Sequence, residues 1–467
     1  MSVLSKQLCA VVLVLGVGAS ACQSTAIVAP TLAEAPPADS TLAQPSLGSE
    51  PTPTPTSAPA QGPESTPAPQ PAALLTADLL TAIDNLARAY EGAADAWAGY
   101  VPGEHPVVLA LKDDAGVLTG ALAINHQAPG RIGESLALDT SGTPFSSLDL
   151  IANVRAEEAA FLQGVGSFQF SRVVGGVDSF VMVAGGEDEF FDPLSDLYAS
   201  TLLHEMFHRY QAQTFQGEFV DQDIDGYDYS PANLRLIGLE DRALAAAIQA
   251  DTRQDRQLAA RHLVAIRQTR VERDPRSELD RLQEMREGTA RFVEHQLGDT
   301  SSDNVYHREN FVLALIDDIP ISNVKGDVAF GRWYASGAGM LHLLHLLDVD
   351  NVEADIEAGE TPVDLLAQAV QADAGDRERL VAEAQSTYDP TNELAEQAEQ
   401  AAEAVLSEPG FWDQEPADAQ RDNEGANNGQ FNVTPELLAC LQGEGVDTSN
   451  NRIDVTQEQM EKCLPQG

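Results

Sequence analysis

A short run from Thr201 to Tyr210 (TLLHEMFHRY) constrains the fold of this chain more than any other segment. It contains His-Glu-x-x-His among apolar side chains at helical spacing. Histidines four positions apart lie one turn apart on the same helix face, so His204 and His208 can bind one metal ion. Zinc accepts imidazole nitrogens at about 2.0–2.1 Å, and Glu205 can act as general base on a water at the metal. The fold must therefore bring a further ligand to this helix.

The missing ligand has two candidates farther along the chain. Catalytic zinc sites use three protein ligands and an open fourth position, and no third histidine follows closely after His208. Two apolar segments offer a glutamate: Glu240 lies in LRLIGLEDRAL, and Glu287 lies in MREGTARFVE. Glu240 could instead accept a hydrogen bond from a zinc-bound imidazole. Gly288 and Ala290 beside the second glutamate predict a close approach to the histidine helix.

The second segment resembles a known family. Its pattern Glu-Gly-x-Ala-x-aromatic-x-Glu after His-Glu-x-x-His is similar to that of the gluzincin zinc metallopeptidases, and to uncharacterised exported bacterial lipoproteins of that type. The resemblance covers roughly residues 195–370. It implies one Zn²⁺ per chain with Glu287 as third ligand, Glu240 being the alternative, and Glu205 as the base in peptide hydrolysis. It further offers Tyr334 as the donor of a hydrogen bond to the substrate oxyanion, the alternative being a half-buried tyrosine that packs under the start of its helix.

The hydrophobic pattern predicts an α+β fold. Apolar positions at helical spacing predict a first helix within residues 74–98, and apolar runs at 107–111, 120–124 and 179–183 predict strands. Helical patterns then cover residues 195–214, 232–250, 254–272, 276–297, 304–317, 333–347 and 362–407. We therefore expect an N-terminal helix and a small β-sheet, followed by a mainly helical, zincin-like half that carries the His-Glu-x-x-His helix.

The beginning of the chain is predicted to lie outside the folded body. Residues 1–22 are typical of an export signal, with Lys6 before an apolar run and Ala-Ser-Ala-Cys at the end. This ending resembles a bacterial lipobox, in which Cys22 is lipidated, and a secreted protein without the lipid is the alternative. Residues 23–73 are rich in Pro, Thr and Ala, which predicts a disordered, extended linker. We expect an exported lipoprotein anchored to the bacterial cell envelope.

Three further parts are predicted after the linker. Residues 74–190 form an α+β N-terminal subdomain, residues 191–408 a helical metallopeptidase-like subdomain, and residues 409–467 an acidic connector with a helical hairpin. Two cysteines lie in this last part. In an exported chain the pair Cys440 and Cys463 predicts a disulfide that joins the hairpin.

The charge balance restricts the partners of this protein. Its 73 acidic residues outnumber its 27 basic residues and give a formal net charge of −46. Such a chain repels nucleic acid and anionic lipid headgroups, so we expect no nucleic-acid partner and membrane contact only through the N-terminal lipid. A salty medium would screen the self-repulsion. We expect a monomer whose partner is a peptide or protein substrate.

Two other groups of residues resemble binding sites. Asp221, Asp223 and Asp225 match the first half of a calcium loop, but alanine stands where that loop needs its bidentate glutamate. A solvated acidic loop is therefore the favoured interpretation, and Ca²⁺ binding is the alternative. His342 and His345 lie in a strongly apolar helix, so we interpret them as packed or partly exposed residues of that helix.

Two functions of different classes are consistent with these patterns. The favoured one is a lipid-anchored zinc metallopeptidase, and the alternative is a non-enzymatic surface lipoprotein with a binding or envelope-structure role. In the alternative, the zinc site is structural or vestigial. Structural zinc sites fill all four positions with protein ligands, whereas a catalytic site needs an open position and a base. The presence of Glu205 favours the enzyme.

Overall fold

A computed structural model describes part of the chain, namely residues 71–186, 191–216, 223–297, 311–312, 315–372 and 374–411. The predicted export signal, the predicted lipidation at Cys22 and the predicted Cys440–Cys463 disulfide lie outside the described residues. Most of the predicted linker, Asp221 and most of the predicted acidic connector lie outside them as well. These predictions stay predictions.

The described strands form one six-stranded sheet in the order β3-β4-β2-β1-β6-β5. Their bounds are β1 Val107–Lys112, β2 Leu118–Ile124, β3 Glu134–Ala137, β4 Leu148–Ala152, β5 Phe168–Val174 and β6 Val177–Gly185. Strands β1 and β6 pair in parallel, and the other neighbours pair antiparallel. The central strands are near-continuous apolar runs because both of their faces are covered. The edge strand β5 is more polar and more exposed.

Helices make up most of the rest of the described chain. They are α1 Ala77–Ala96, α2 Ala156–Gly164, α3 Asp196–Thr214, α4 Pro231–Gln249, α5 Arg253–Arg273, α6 Glu278–Gln283, α7 Thr289–Leu297, α8 Arg332–Leu346, α9 Val352–Glu357, α10 Pro362–Ala369, α11 Arg377–Tyr388 and α12 Glu393–Val405. Two π-helical segments, Glu284–Gly288 and Lys325–Gly331, lead into α7 and α8. The α+β class predicted from the sequence is confirmed.

Helix α1 illustrates how the local sequence specifies an element. The Thr76 hydroxyl caps its first turn by accepting a hydrogen bond from the Leu79 amide at 3.1 Å. Its buried side chains recur three or four positions apart and face α3 and α7; they include Leu79, Ile83, Leu86 and Tyr90. The helix predicted within residues 74–98 is therefore confirmed.

Two of the helix predictions differ from the structure. The helix predicted over 304–317 is wrong where the structure describes it, because residues 311–312 and 315–317 form turns and bends. The helical stretch predicted over 362–407 is present but divided into α10, α11 and α12. Gln371 and Asn392 adopt left-handed backbone conformations, with φ of 49° and 63°, next to the ends of these helices.

The sheet and the helices share one hydrophobic core. Buried apolar side chains form a continuous cluster that includes residues from Leu79 in α1 to Ala401 in α12. Residues of both predicted subdomains, 74–190 and 191–408, contribute to this core, and the division between them stays a prediction. Among the described residues, no helix is both long enough and apolar enough to cross a membrane.

Candidate metal centre

Helix α3 carries His204, Glu205 and His208, and aromatic packing holds it in place. The ring of Phe207 lies 5.2 Å from that of Trp97 and 5.1 Å from that of Tyr100, centroid to centroid. The Tyr100 hydroxyl donates a hydrogen bond to the backbone oxygen of Leu203 at 3.0 Å. Helix α3 is thereby fixed against α1, and the i,i+4 spacing then directs both histidines to the same side.

Glu287 reaches the histidines from an irregular segment of helix. The continuous helical run that begins with α6 widens into the π-helical segment Glu284–Gly288 before α7 begins. A Cβ atom on Gly288 would lie 2.4 Å from the Cα atom of Gly337, so this glycine permits contact with α8. The helix that follows Glu287 does lie close to α3, as expected, but Gly288 does not make that contact, since it faces α8.

The three predicted ligands form a buried cluster that could hold a metal ion. The Oε2 atom of Glu287 lies 3.2 Å from Nε2 of His208 and 3.8 Å from Nε2 of His204. All three ligand atoms lie within 4.8 Å of one another. A tetrahedral ion with bonds of about 2.0–2.1 Å separates its ligand atoms by roughly 3.3 Å, so the observed spacing suits such an ion.

The hydrogen bonds of Gln211 determine which nitrogen of His208 faces the cluster. The side-chain nitrogen of Gln211 donates to the backbone oxygen of Arg286 at 2.7 Å and to the hydroxyl oxygen of Thr289 at 2.6 Å. Its oxygen therefore faces Nδ1 of His208, at 2.7 Å, and accepts the proton there. Nε2 of His208 is left unprotonated in the neutral ring, as a metal ligand requires.

Glu294 determines in the same way which nitrogen of His204 faces the cluster. Its Oε2 atom lies 3.0 Å from Nδ1 of His204 and 2.8 Å from Nη1 of Arg291. A carboxylate accepts the Nδ1 proton, which leaves Nε2 of His204 available to a metal. Glu294 follows Glu287 by seven residues, and both carboxylates reach His204. Sequence reasoning assigned no role to Glu294 or Gln211, although the seven-residue spacing was a usable signal.

The carboxylates make the cluster attractive to a positive charge. Although burial opposes protonation, the nearby carboxylates of Glu287 and Glu294 raise the pKa of His204 to about 9. Burial also disfavours the ionised form of Glu287, but the two histidines hold the pKa of this carboxyl well below its usual range. A proton or a metal cation can supply the positive charge that these groups favour.

The proposed base and the proposed oxyanion donor both lie beside the cluster. Glu205 is half-buried on α3, and burial raises the pKa of its carboxyl, although His204 and His208 act in the opposite direction. The ring of Tyr334 in α8 stacks on that of His204, with centroids 5.7 Å apart and planes 15° apart. On the other side, the ring of Phe170 in β5 lies 5.9 Å from that of His208.

Glu240 lies in a different buried cluster from the histidines. Its carboxylate accepts hydrogen bonds from Arg267, from Arg270 at 2.8 Å and from Arg332 at 2.8 Å. Although burial opposes ionisation, these guanidinium groups lower the pKa of Glu240 to about 2. The structure therefore places Glu287 at the histidines and pairs Glu240 with arginines. The carboxylate beside an imidazole that was expected of Glu240 is that of Glu294, whose Oε2 atom lies 3.0 Å from Nδ1 of His204.

The remaining predicted positions have other partners. Nζ of Lys325 lies 2.8 Å from Oδ1 of Asp225, and an ammonium group at this distance competes with Ca²⁺. Asp223 accepts a hydrogen bond from the amide of Gly226 at 2.9 Å.

The histidines of α8 are packed against aromatic rings. The ring of His342 stacks on that of Phe311 at 4.3 Å, and the ring of His345 stacks on that of Phe292 at 5.4 Å. Burial lowers the pKa of His342 to about 4.

Comparisons with known proteins found no relative of this chain: no family model, no curated protein and no solved structure matches it. The two histidines, the carboxylate between them and the acceptors behind each imidazole are the observations that bear on function.

Proposed function

We propose that this protein is a zinc-dependent metallopeptidase with a zincin-like helical half. One observation carries the proposal. Nε2 of His204, Nε2 of His208 and a carboxylate oxygen of Glu287 converge, while Nδ1 of each histidine faces an acceptor, Glu294 or Gln211. This arrangement fits a bound cation because the two acceptors orient the rings and hold a proton on each Nδ1, so that Nε2 is the nitrogen that binds the metal.

The donor set favours zinc in a catalytic role over a structural one. Two imidazoles and one carboxylate are a typical ligand set of catalytic zinc, with one position left for water or substrate. Within the described parts of the chain, no fourth side chain belongs to the group formed by His204, His208 and Glu287. This supports an open coordination position, which the non-enzymatic alternative does not need.

The residues around the metal have distinct roles in the proposed hydrolysis. His204, His208 and Glu287 would hold a zinc ion, which would supply Lewis acidity to a water, lowering its pKa to about 7, and to a carbonyl oxygen. Glu205 accepts a proton from the attacking water and then donates it to the nitrogen of the leaving amine. The hydroxyl of Tyr334 donates a hydrogen bond to the oxygen on which negative charge develops. Glu294 and Gln211 hold the two imidazoles in orientation throughout.

The proposal includes the location of the protein. The signal-like start, the cysteine at position 22 and the Pro-rich linker support export and a lipid anchor in the bacterial cell envelope. The net charge of −46 supports a body that stays soluble and monomeric outside the membrane. The substrate in this proposal is a peptide or protein.

The test compares the full-length protein with its Glu205→Gln variant. Elemental analysis measures bound zinc, and a broad peptide library measures cleavage. We expect one zinc per chain in both proteins, and a loss of roughly 10²–10⁴-fold in kcat/KM for the variant, because the metal remains while the base is removed. Glu378→Gln, the same change at an exposed glutamate of α11, serves as the control and should cleave like the parent.

Two results would contradict the proposal. A parent protein that binds no zinc excludes the metal centre altogether. A parent that binds one zinc per chain but cleaves nothing in the library favours the alternative, a surface lipoprotein whose zinc site has no catalytic role.

A further inference from the structure

Seven ionisable side chains lie buried together between α4, α5, α6 and α8, and the proposed mechanism uses none of them. Each is 3% exposed or less. We call the following residues the charge network: Glu240, Asp241, Arg267, Arg270, Asp280, Glu284 and Arg332. Four carboxylates and three guanidinium groups in one apolar interior are an unusual arrangement, because each ion must be removed from water.

Hydrogen bonds connect every member of the charge network. The two Nη atoms of Arg267 bind the two carboxylate oxygens of Glu284, both at 2.7 Å, and its Nε atom binds Glu240 at 2.8 Å. The guanidinium group of Arg332 binds Asp241 at 3.0 Å and Asp280 at 3.1 Å.

Arg270 completes the charge network from the last turn of α5. Its Nη1 atom lies 2.8 Å from Oε2 of Glu240, and its Nη2 atom lies 2.6 Å from Oδ2 of Asp280. The charge network therefore joins four helices through directional, charge-assisted contacts.

Stability alone does not account for this arrangement. Well-packed apolar residues of similar volume often stabilise a protein as much as a buried ion group does, or more. Charged hydrogen bonds differ from apolar contacts in direction, since a bidentate pair between arginine and carboxylate fixes both distance and angle. The charge network is therefore suited to hold a backbone segment in one orientation.

The charge network meets both π-helical segments at their ends. Glu284 is the first residue of the segment Glu284–Gly288, which contains Glu287. Arg332 is the first residue of α8 and directly follows the segment Lys325–Gly331. Single π-helical turns are rare and are frequently found at functional sites. One member of the charge network thus lies at an end of each segment: Glu284 at the start of the first, and Arg332 directly after the second.

Helix α8 contacts the first π-helical segment directly as well. The hydroxyl of Ser336 donates a hydrogen bond to Glu284, and Gly337 packs against Gly288. Tyr334, which stacks on His204, lies two residues before Ser336. The ligand Glu287 and the ring of Tyr334 are therefore supported by the same group of buried charges.

We infer that the charge network positions the half of the metal centre that α3 does not supply. Arg267 holds Glu284 and thereby the π-helical segment, so that the carboxylate of Glu287 points at the histidines. Arg332 holds the start of α8 and thereby Tyr334. The members of the charge network are positioning residues, and the inference rests on the proposed function only where it concerns the metal.

The test uses Arg267→Lys in the full-length protein, with Arg235→Lys as matched control. Lysine keeps the positive charge but cannot reproduce the bidentate fork. Arg235 in α4 pairs with the buried carboxylate of Asp389 at 3.0 Å, and it belongs neither to the charge network nor to a π-helical segment. Both variants thus replace an arginine that binds a buried carboxylate, through a single contact for Arg235 and through a bidentate pair for Arg267, and only Arg267→Lys alters the contacts of Glu284.

The first measurement is a Co²⁺ titration of the metal-free proteins, followed by the d–d absorption of the bound ion. We expect Arg267→Lys to bind Co²⁺ about 10–100-fold more weakly, since changes to residues that orient ligands have effects of this size. Its absorption bands should also change, because the direction of Glu287 changes. Arg235→Lys should keep the affinity and the spectrum of the parent.

The second measurement, hydrogen exchange of the metal-free proteins, does not depend on a metal. We expect faster exchange in peptides that cover residues 284–291 of Arg267→Lys, and exchange as in the parent for Arg235→Lys. Ser336→Ala removes a single hydrogen bond to Glu284. It provides a milder variant, with smaller changes of the same sign, should Arg267→Lys fail to fold.

The outcomes separate this inference from the proposed function. A parent that binds no Co²⁺ argues against the proposed function, and the exchange experiment then decides the inference alone. Folded variants at Arg267 and Ser336 that match the parent in exchange over residues 284–291 would overturn the inference. Equal loosening throughout the chain in Arg267→Lys and Arg235→Lys would also overturn it, because the charge network would then be a general structural contact.

Discussion

The histidines and Glu287 approach the same point from two sides that are built differently. On the histidine side, α3 packs through aromatic rings such as Phe207 and Trp97 against α1 and the sheet. On the glutamate side, buried ion pairs of the charge network join α4, α5, α6 and α8. Both sides consist of buried side chains. The histidine side is held by apolar contacts, and the glutamate side is held by charged hydrogen bonds.

The difference follows from how each ligand is presented. A regular helix directs His204 and His208 to one face by its own geometry, so α3 needs only to be anchored. Glu287 belongs to a π-helical segment, in which the regular spacing is interrupted. Apolar packing is not directional and tolerates small rotations, whereas a bidentate ion pair does not. The irregular segment therefore requires the directional contacts.

The largest expected effect is that of Arg332→Met. This change removes the charge that balances Asp241 and Asp280 and leaves both carboxylates buried without this partner. Breaking a buried ion pair in this way typically costs about 3–5 kcal/mol. Urea denaturation followed by circular dichroism should show a loss of that size in the free energy of unfolding.

Two control variants test whether the large loss of stability in Arg332→Met comes from burial of the ion pair. Arg253→Met breaks an exposed pair with Asp348 and should cost less than about 1 kcal/mol. Phe207→Leu keeps an apolar side chain on the histidine side and should cost less than a truncation to alanine, which costs about 3–5 kcal/mol. If Arg332→Met costs no more than Phe207→Leu, the two sides are not held by different kinds of contact.

An intermediate effect is expected from Gly288→Ala. The added Cβ atom would lie 2.4 Å from the Cα atom of Gly337, so the π-helical segment must move away from α8. Such overpacking costs about 1–3 kcal/mol, and the displacement of Glu287 should also weaken Co²⁺ binding. Urea denaturation and a Co²⁺ titration measure the two effects.

Gly130→Ala is the matched control, because a Cβ atom there meets nothing within 4 Å. This variant should retain the stability and the Co²⁺ affinity of the parent. A Gly288→Ala protein that also retains both would show that the contact between the π-helical segment and α8 has no influence on the ligand.

The smallest expected effect is the pH dependence of the histidine side. Burial opposes protonation of His204, but Glu287 and Glu294 raise the pKa of this histidine to about 9. Below that pH a metal must therefore displace a proton from His204. The apparent Co²⁺ affinity should rise roughly tenfold per pH unit up to about pH 9 and then level off. Titrations at pH 7, 8, 9 and 10 measure this.

The stability of the metal-free protein should change in the opposite direction. The pKa of His204 in the folded state lies above its ordinary value of 6.5, so its contribution to stability is fully present below pH 6.5. That contribution is lost as pH rises through about 9. In Glu294→Gln the Co²⁺ affinity should level off at a lower pH than in the parent, because one of the carboxylates that raise the pKa of His204 is removed. A Co²⁺ affinity that is constant from pH 7 to 9 would contradict the assignment of the proton to His204.

Secondary structure was predictable where the apolar pattern was regular and buried. The predictions for α1, α3, β1, β2 and β6 agree with the structure within a few residues. Strands β3, β4 and β5 were not predicted. Strands β3 and β5 are polar and lie at the sheet edges, and the buried strand β4 is interrupted by Asp149. Neither π-helical segment was foreseen, because their widened turns depend on contacts with distant helices.

The residues of the candidate metal centre were predictable only in part. His204, Glu205 and His208 follow from a local motif, and Glu287 follows from the resemblance to gluzincins. Gln211 and Glu294 were not assigned roles, since a hydrogen-bond acceptor behind an imidazole has no sequence pattern as specific as a ligand motif. The choice between Glu240 and Glu287 required knowledge of which carboxylate the arginines neutralise.

By itself, the sequence determined the elements with regular apolar spacing and the helix that presents two histidines on one face. Both depend on contacts within a few residues along the chain. Only the tertiary structure decided that Glu287 rather than Glu240 meets the histidines, and that the charge network joins the two π-helical segments. These outcomes depend on helices far apart in the chain, where burial makes the position of each charge decisive.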